Sequence, residues 1–160
     1  MTKHPVQHTA GSEFCVVGVG ASAGGISELQ ALLGSLPAES RLTLVLVQHL
    51  APGQHDRLLD LLSQWSALPA SRASDGEYLR PGRLYVASAD EVLTVNGGVF
   101  HSPPGQGGHR WPGIDNIDAF LESLARDYGP NTIAVILFGM GSDGAAGASS
   151  VLQAGGAVIV

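Results

Sequence analysis

Apolar runs alternate with amphipathic segments along most of the chain. Three runs are apolar at nearly every position, which is typical of strands buried on both faces of a parallel sheet. They cover residues 14–20, 42–47 and 132–138. Shorter apolar runs at 84–87 and 157–160 predict two further strands.

The segments between these runs carry apolar residues three or four positions apart. This spacing predicts helices over residues 26–36, 54–65, 117–128 and 144–153. Asp115 or Asn116 is the predicted cap of the third helix. Strands that alternate with helices predict an α/β fold, a doubly wound and mostly parallel sheet with helices on both faces.

An antiparallel insert is predicted within this pattern. The dipeptide Asn96-Gly97 separates a short strand predicted at 91–95 from Val99 and Phe100, which is a strong signal for a hairpin. Residues 69–83 are polar and rich in turn signals, so they are predicted to form a loop.

Composition indicates one globular domain. The 160 residues are 44% hydrophobic and 14% charged, which provides for a core and argues against disorder. Residues 1–13 are polar and predict a flexible tail, so the domain is expected to cover 14–160. The chain stops within a predicted strand, which suggests that the C-terminal end of the domain is truncated.

Charge, hydropathy and cysteine content indicate the expected partners and location of the protein. A net charge of −6 with scattered Lys and Arg residues argues against a nucleic-acid partner. There is no signal peptide and no apolar stretch near the ~20 residues of a membrane span, so we expect a cytoplasmic protein without membrane insertion. Cys15 is the only cysteine and is expected to be a buried strand residue.

Three polar residues directly follow the long apolar runs or lie in the loops after them. They are Ser22, His49 and Asp143. The carboxyl ends of parallel strands are where such sheets build their sites, so the three side chains are expected to meet. A serine, a histidine and an aspartate together suggest hydrolysis by a nucleophilic serine, with the aspartate accepting a hydrogen bond from His49 Nδ1–H.

Each of these residues also has a simpler interpretation. Ser22 lies among glycines before a helix, where it would serve as an N-cap, and Asp143 would cap the helix that follows it. The glycines around Ser22 also resemble a dinucleotide-binding loop, but the third glycine is one position late and the second strand ends without an acidic residue. Ser142 is a weaker candidate nucleophile, and His55 is expected on a helix surface.

Metals and cofactors are not expected. The six histidines show no compact ligand spacing, and two of them lie in the tail.

Several motifs in one order resemble the catalytic domain of the bacterial chemotaxis protein-glutamate methylesterase family (CheB). The resemblance runs from about Cys15 to the end of the chain. The motifs are Val-Gly-Val-Gly-Ala-Ser-Ala-Gly-Gly at 17–25, Val-Gln-His-Leu-Ala-Pro-Gly at 47–53, Asp-Gly at 75–76 with Pro-Gly-Arg-Leu-Tyr-Val at 81–86, Leu-Phe-Gly-Met-Gly-Ser-Asp-Gly-Ala-Ala-Gly at 137–147, and Gln-Ala-Gly-Gly at 153–156.

The resemblance implies an esterase that demethylates glutamate methyl esters on chemoreceptors, with glutamine deamidation as a second activity. It assigns the nucleophile to Ser22, the base to His49 and the orienting carboxylate to Asp143. Ala23 and Met140 would shape the site, with the backbone N–H of Met140 facing the oxyanion. The implied partner is the methylated cytoplasmic domain of a chemoreceptor, with a methyltransferase or a separate response regulator as further candidates.

The chain departs from the family pattern in several places. Ala23 stands where threonine is frequent, and residues 114–118 read Ile-Asp-Asn-Ile-Asp in place of Arg-Pro-Ser-Val/Ile-Asp. A receiver domain and the family's C-terminal stretch are not in the sequence. These departures leave an alternative open, a non-catalytic signalling module that binds a receptor or a methyltransferase.

Overall fold

The computed structural model describes residues 14–22, 24–50, 53–88, 91–102, 116–137 and 142–160. Within these ranges the helices and strands follow the predicted order. They are β1 (Val16–Ala21), α1 (Ile26–Ser35), β2 (Thr43–Gln48), α2 (His55–Trp65), β3 (Ala70–Arg72), β4 (Leu84–Ser88), β5 (Thr94–Asn96), β6 (Val99–His101), α3 (Asn116–Tyr128), a 3₁₀ turn (Gly129–Asn131), β7 (Thr132–Leu137), α4 (Ala145–Gln153) and β8 (Ala157–Ile159).

Six strands form one parallel sheet in the order β3-β4-β2-β1-β7-β8. β1 lies between β2 and β7, and Ala21 is in register with both Gln48 and Leu137. The three strands that precede the candidate site residues therefore end at the same level of the sheet.

The sheet separates two hydrophobic cores, because successive side chains of a strand point to opposite faces. Val17, Val19 and Ala21 belong to the core that contains the apolar residues of α1 and α2. Val16 belongs to the other core, which contains those of α3 and α4. Helices therefore cover both faces, and the predicted doubly wound fold is confirmed.

Glycines in β1 allow α3 to lie close to the sheet. A Cβ built at Gly18 would lie 2.6 Å from Leu121 Cδ2, and one built at Gly20 would lie 2.8 Å from Ile117 Cγ2. A side chain at either position would require these side chains of α3 to shift, and α3 contributes to the site described below.

The hairpin is present, with one difference in its turn. β5 and β6 pair antiparallel and form a separate two-stranded sheet. The two turn residues are Gly97 and Gly98, not Asn96 and Gly97, and both have positive φ angles (60° and 74°). Such angles suit the right-handed twist of a two-residue hairpin. Asp127 of α3 accepts hydrogen bonds from both glycine N–H groups and attaches the hairpin to that helix.

Two other expectations were wrong in part. The polar segment 69–83 contains the three-residue edge strand β3, which was predicted as loop. An edge strand is solvated along one side, so it needs no apolar run. Cys15 lies one residue before β1 and is only partly buried, although that burial raises the pKa of its thiol.

Some expectations concern residues outside the described ranges, namely the tail at 1–13 and the helix cap Asp115. In the part of the chain that the structure describes, no helix is both long and apolar enough to cross a membrane.

Candidate active site

Ser22 and His49 leave adjacent strands at the same height. Ser22 follows β1 and His49 follows β2, and the last residues of these strands are paired in register. The Ser22 N–H donates to the Leu137 carbonyl at the end of β7 (3.4 Å), so the serine is also connected to the third strand. Both residues therefore lie at the carboxyl edge of the sheet, as the sequence predicts.

The alternation of side chains directs both residues toward the same face. Gly18 and Gly20 of β1 face α3, and Val45 and Val47 of β2 belong to the core on that side. Continued by one step beyond the strands, the alternation predicts that Ser22 and His49 face the α3 side of the sheet, and the contact with Asp143 agrees with this for His49. Asp143 lies on that side.

His49 and Asp143 are in contact. His49 Nε2 lies 3.4 Å from Asp143 Oδ2, and the two side chains are 31% and 16% exposed. This separation is somewhat longer than an ordinary N–H···O hydrogen bond, but catalytic hydrogen bonds commonly tighten when substrate binds.

The histidine nitrogen that faces Asp143 differs from the prediction. The sequence predicts Nδ1 at this contact, whereas Nε2 faces Asp143 in the structure. Nε2 is the ring nitrogen farther from the backbone, and Asp143 lies directly before the N-terminus of α4. Nε2 therefore contacts the carboxylate, and Nδ1 is the ring nitrogen that does not face Asp143.

Hydrogen bonds from α3 fix the Asp143 carboxylate. Oδ1 accepts from the Asp118 N–H (2.9 Å), and Oδ2 accepts from the Ile117 N–H (3.3 Å). These donors lie in the first turn of α3, where backbone N–H groups have no partner within the helix. Asp143 thus caps α3, so the alternative that it caps the following helix is wrong. The same bonds hold Oδ2 beside His49.

The N-terminus of α4 has its acceptor elsewhere. Its N-cap residue is Gly144, with φ of +108° and no side chain to accept a hydrogen bond. Asp118 Oδ1 accepts instead, from the N–H groups of Gly144 (2.9 Å) and Gly147 (2.6 Å). In the sequence, Asp118 stands out only as part of a departure from the family pattern. The N-cap residue of α4 is a glycine, which has no side chain to accept a hydrogen bond. This glycine was the signal in the sequence that the acceptor for the α4 N–H groups comes from another segment.

The alternative role of Ser22 as a helix cap is wrong. α1 begins at Ile26, and its N-cap is Gly25, three residues after Ser22. The Ser22 carbonyl accepts a hydrogen bond from the Gly25 N–H (3.1 Å), which closes a tight turn between the strand and the helix. Ser22 is therefore part of the strand-to-helix turn itself.

The remaining candidates contribute less. His55 is the first residue of α2 and is partly exposed, and Ser142 is exposed. Ala23 and Met140 lie outside the described residues. Among the residues that the structure does describe, no group of three or more His, Cys, Asp or Glu side chains could hold a metal ion.

Fold and site together define a doubly wound α/β domain with a histidine–aspartate pair at the carboxyl edge of its sheet, and with a serine in the strand-to-helix turn after the neighbouring strand β1. Comparison with known proteins agrees with this class. The family model for the CheB methylesterase matches residues 17–160, and the chain belongs to this family.

Curated relatives have similar sequences. The protein-glutamate methylesterase/protein-glutamine glutaminase 3 of Myxococcus xanthus is 37% identical over 147 residues, which cover 91% of this chain. The corresponding protein of Escherichia coli K12 is 34% identical over 146 residues, 88% of this chain. The chain spans only 40% of the length of each of these two relatives.

A solved structure is similar along most of the chain. The crystal structure of the Thermotoga maritima CheB methylesterase catalytic domain superposes with a TM-score of 0.80 at 35% sequence identity. The match covers 92% of this chain and 79% of that one.

Proposed function

We propose that this chain is a serine hydrolase that demethylates glutamate methyl esters on the cytoplasmic domain of chemoreceptors and releases methanol. The observation that carries the proposal is the contact of His49 with Asp143 at the carboxyl edge of the sheet, where Ser22 follows the neighbouring strand β1. Membership of the CheB methylesterase family and the names of the relatives support the ester as substrate.

The first half of the reaction forms an acyl-enzyme. His49 takes the proton of the Ser22 hydroxyl through Nδ1, because Nε2 faces Asp143. The serine oxygen attacks the ester carbonyl carbon, and the carbonyl electrons move to the oxygen. Asp143 stabilises the imidazolium that forms. When the tetrahedral intermediate collapses, the C–O bond to the methoxy group breaks and His49 returns the proton, so methanol leaves.

The second half regenerates the enzyme. His49 takes a proton from water, whose oxygen attacks the acyl-enzyme carbonyl. When this second tetrahedral intermediate collapses, the bond to the Ser22 oxygen breaks and His49 returns the proton to that oxygen. The product is the free glutamate carboxylate of the receptor. Backbone N–H groups of Ala23 and Met140 are proposed to bind the oxyanion in both halves, and such donors typically accelerate acyl transfer by about 10²–10³ fold. Neither half requires a metal or a cofactor.

Glutamine deamidation is proposed as a second activity of the same site. The names of the curated relatives include a protein-glutamine glutaminase. Attack on a side-chain amide forms the same acyl-enzyme and releases ammonia in place of methanol. Because the substrates are cytoplasmic receptor domains, the proposal places the protein in the cytoplasm, where a methyltransferase or a response regulator would be a further partner.

Methanol release from a methyl-labelled receptor fragment tests the proposal. Ser22→Ala is expected to reduce release by at least about 10⁴ fold, because the nucleophile is removed. Ser27→Ala is the matched control, since Ser27 is an exposed serine on α1 and should leave the rate unchanged. Equal rates for wild type and Ser22→Ala would contradict the proposal. A folded wild-type chain that binds the fragment without releasing methanol would instead identify a non-catalytic binding module.

A further inference from the structure

Asp118 occupies an unusual position relative to the histidine–aspartate pair. It lies in the first turn of α3 and is 9% exposed. A single carboxylate oxygen accepts hydrogen bonds from the N–H groups of Gly144 and Gly147, at 2.9 and 2.6 Å. Two of the N–H groups at the start of α4 are therefore satisfied by a residue of another helix.

The interaction between the two helices is reciprocal. Asp118 accepts from the N-terminus of α4, and Asp143 accepts from the N-terminus of α3 through the N–H groups of Ile117 and Asp118. Gly144, whose N–H binds Asp118, directly follows Asp143 in the chain. Asp118 thus holds Asp143 twice, since its carboxylate binds the next residue and its own N–H binds the Asp143 carboxylate.

The packing of the two helices leaves little room for adjustment. A Cβ built at Gly147 would lie 2.6 Å from Leu121 Cβ and 3.1 Å from Asp118 Cα. The helices are therefore in close contact where the two aspartates meet. The position of the start of α4 relative to Asp118 therefore depends on both this packing and the two hydrogen bonds.

We propose that Asp118 is a positioning residue of the active site, which holds the Asp143 carboxylate at His49 by capping α4. The proposal rests on the proposed function and extends it to a residue that does not touch the reacting atoms. Loss of the Asp118 carboxylate removes two hydrogen bonds from the start of α4, so that Asp143 is held only by the backbone N–H groups of residues 117 and 118.

Two substitutions at Asp118 distinguish a positioning role of its hydrogen-bond acceptor from a requirement for its negative charge. Asp118→Ala removes the acceptor and is expected to lower kcat by about 10–100 fold, with KM changed less than about twofold, because transition-state stabilisation is lost and not substrate binding. Asp118→Asn retains an amide oxygen that can accept the same two hydrogen bonds. It is expected to restore kcat to within about fivefold of wild type.

Asp127→Ala is the matched control. Asp127 lies on the same helix, and its carboxylate also accepts two backbone N–H groups, those of Gly97 and Gly98, but in the hairpin turn. We expect this variant to lose stability and to keep the wild-type kcat. A loss of kcat in Asp127→Ala equal to that of Asp118→Ala, at the same Tm, would overturn the positioning role, and so would a kcat in Asp118→Asn as low as in Asp118→Ala.

An NMR measurement distinguishes failure of this proposal from failure of the proposed function. The ¹⁵N signals of the His49 ring report on its contact with Asp143 whether or not the chain hydrolyses esters. They are expected to change in Asp118→Ala and to return to wild-type positions in Asp118→Asn. Unchanged signals in Asp118→Ala would overturn the proposal for Asp118. An inactive wild type with the expected signal change would reject only the esterase.

Discussion

His49 directs its outer ring nitrogen, Nε2, at Asp143, and the proposed mechanism assigns the two ring nitrogens different tasks. A carboxylate that accepts a hydrogen bond selects the tautomer with the proton on the facing nitrogen. We therefore expect neutral His49 to carry its proton on Nε2 and to present an unprotonated Nδ1 to Ser22. Long-range ¹H–¹⁵N NMR spectra distinguish the tautomers. A proton on Nδ1 of neutral His49 would contradict the assignment. In Asp143→Ala the carboxylate is gone, so His49 is expected to show the same mixture of tautomers as the partly exposed His55.

The candidate site residues, and the contact of His49 with Asp143, could be predicted from positions after buried strands, but the hydrogen bonds that hold Asp143 in place could not. Ser22 and His49 follow strands that are recognisable from apolar residues alone. The bonds between Asp118 and the α4 N-terminus join residues 26 and 29 positions apart, and no local pattern encodes them. The nitrogen of His49 that faces Asp143 depends on the same tertiary arrangement, so its prediction was wrong.

The close contact of α3 and α4 can be tested at the level of whole helices. Alanine normally stabilises a helix relative to glycine by about 1 kcal/mol. At Gly147 the added Cβ would lie 2.6 Å from Leu121 Cβ, so we expect Gly147→Ala to destabilise the protein by about 1–3 kcal/mol through overpacking. Urea denaturation measures this change in the free energy of unfolding.

Gly34→Ala provides the control for this substitution. Gly34 lies in α1, and a Cβ there would meet no atom within 4 Å. We expect a stabilisation of about 0.5–1 kcal/mol, because alanine restricts the unfolded chain and favours the helix. Destabilisation by both substitutions, or by neither, would contradict the interpretation that close packing excludes a side chain at Gly147.

Strands and helices with a strong apolar pattern could be predicted from the sequence, whereas short polar elements could not. β1, β2 and β7 are recognisable because both of their faces are covered. β3 has the sequence Ala-Ser-Arg and lies at the edge of the sheet, so it carries no such pattern. The turn between β5 and β6 shifted by one residue because two consecutive glycines, Gly97 and Gly98, both tolerate positive φ.

At the scale of the whole molecule, we expect the free energy of unfolding to fall at high pH because Tyr128 is buried. Burial, with smaller contributions from Asp127 and Tyr85, raises the pKa of Tyr128 from 10.0 to about 12. Between pH 10 and 12 the unfolded chain loses this proton while the folded chain keeps it. The folded state therefore binds more protons, and stability falls as pH rises through this range.

Tyr128→Phe tests this dependence. The difference of about two pKa units corresponds to roughly 2–3 kcal/mol of stability that is present below pH 10 and is lost toward pH 12. Urea denaturation at a series of pH values should therefore show a shallower decline for Tyr128→Phe than for wild type. Tyr78→Phe, at an exposed tyrosine, is expected to keep the wild-type decline. Parallel curves for wild type and Tyr128→Phe would contradict the assignment.

The central claim is that Ser22 forms a covalent acyl-enzyme with the receptor glutamate. Acid quenching within the first turnover, followed by mass spectrometry, tests it most directly with a methylated receptor peptide as substrate. We predict an adduct of the peptide mass less methanol, located on Ser22 and formed as methanol appears. An adduct on another residue, such as Ser142, or methanol release at the wild-type rate by Ser22→Ala, would contradict the account.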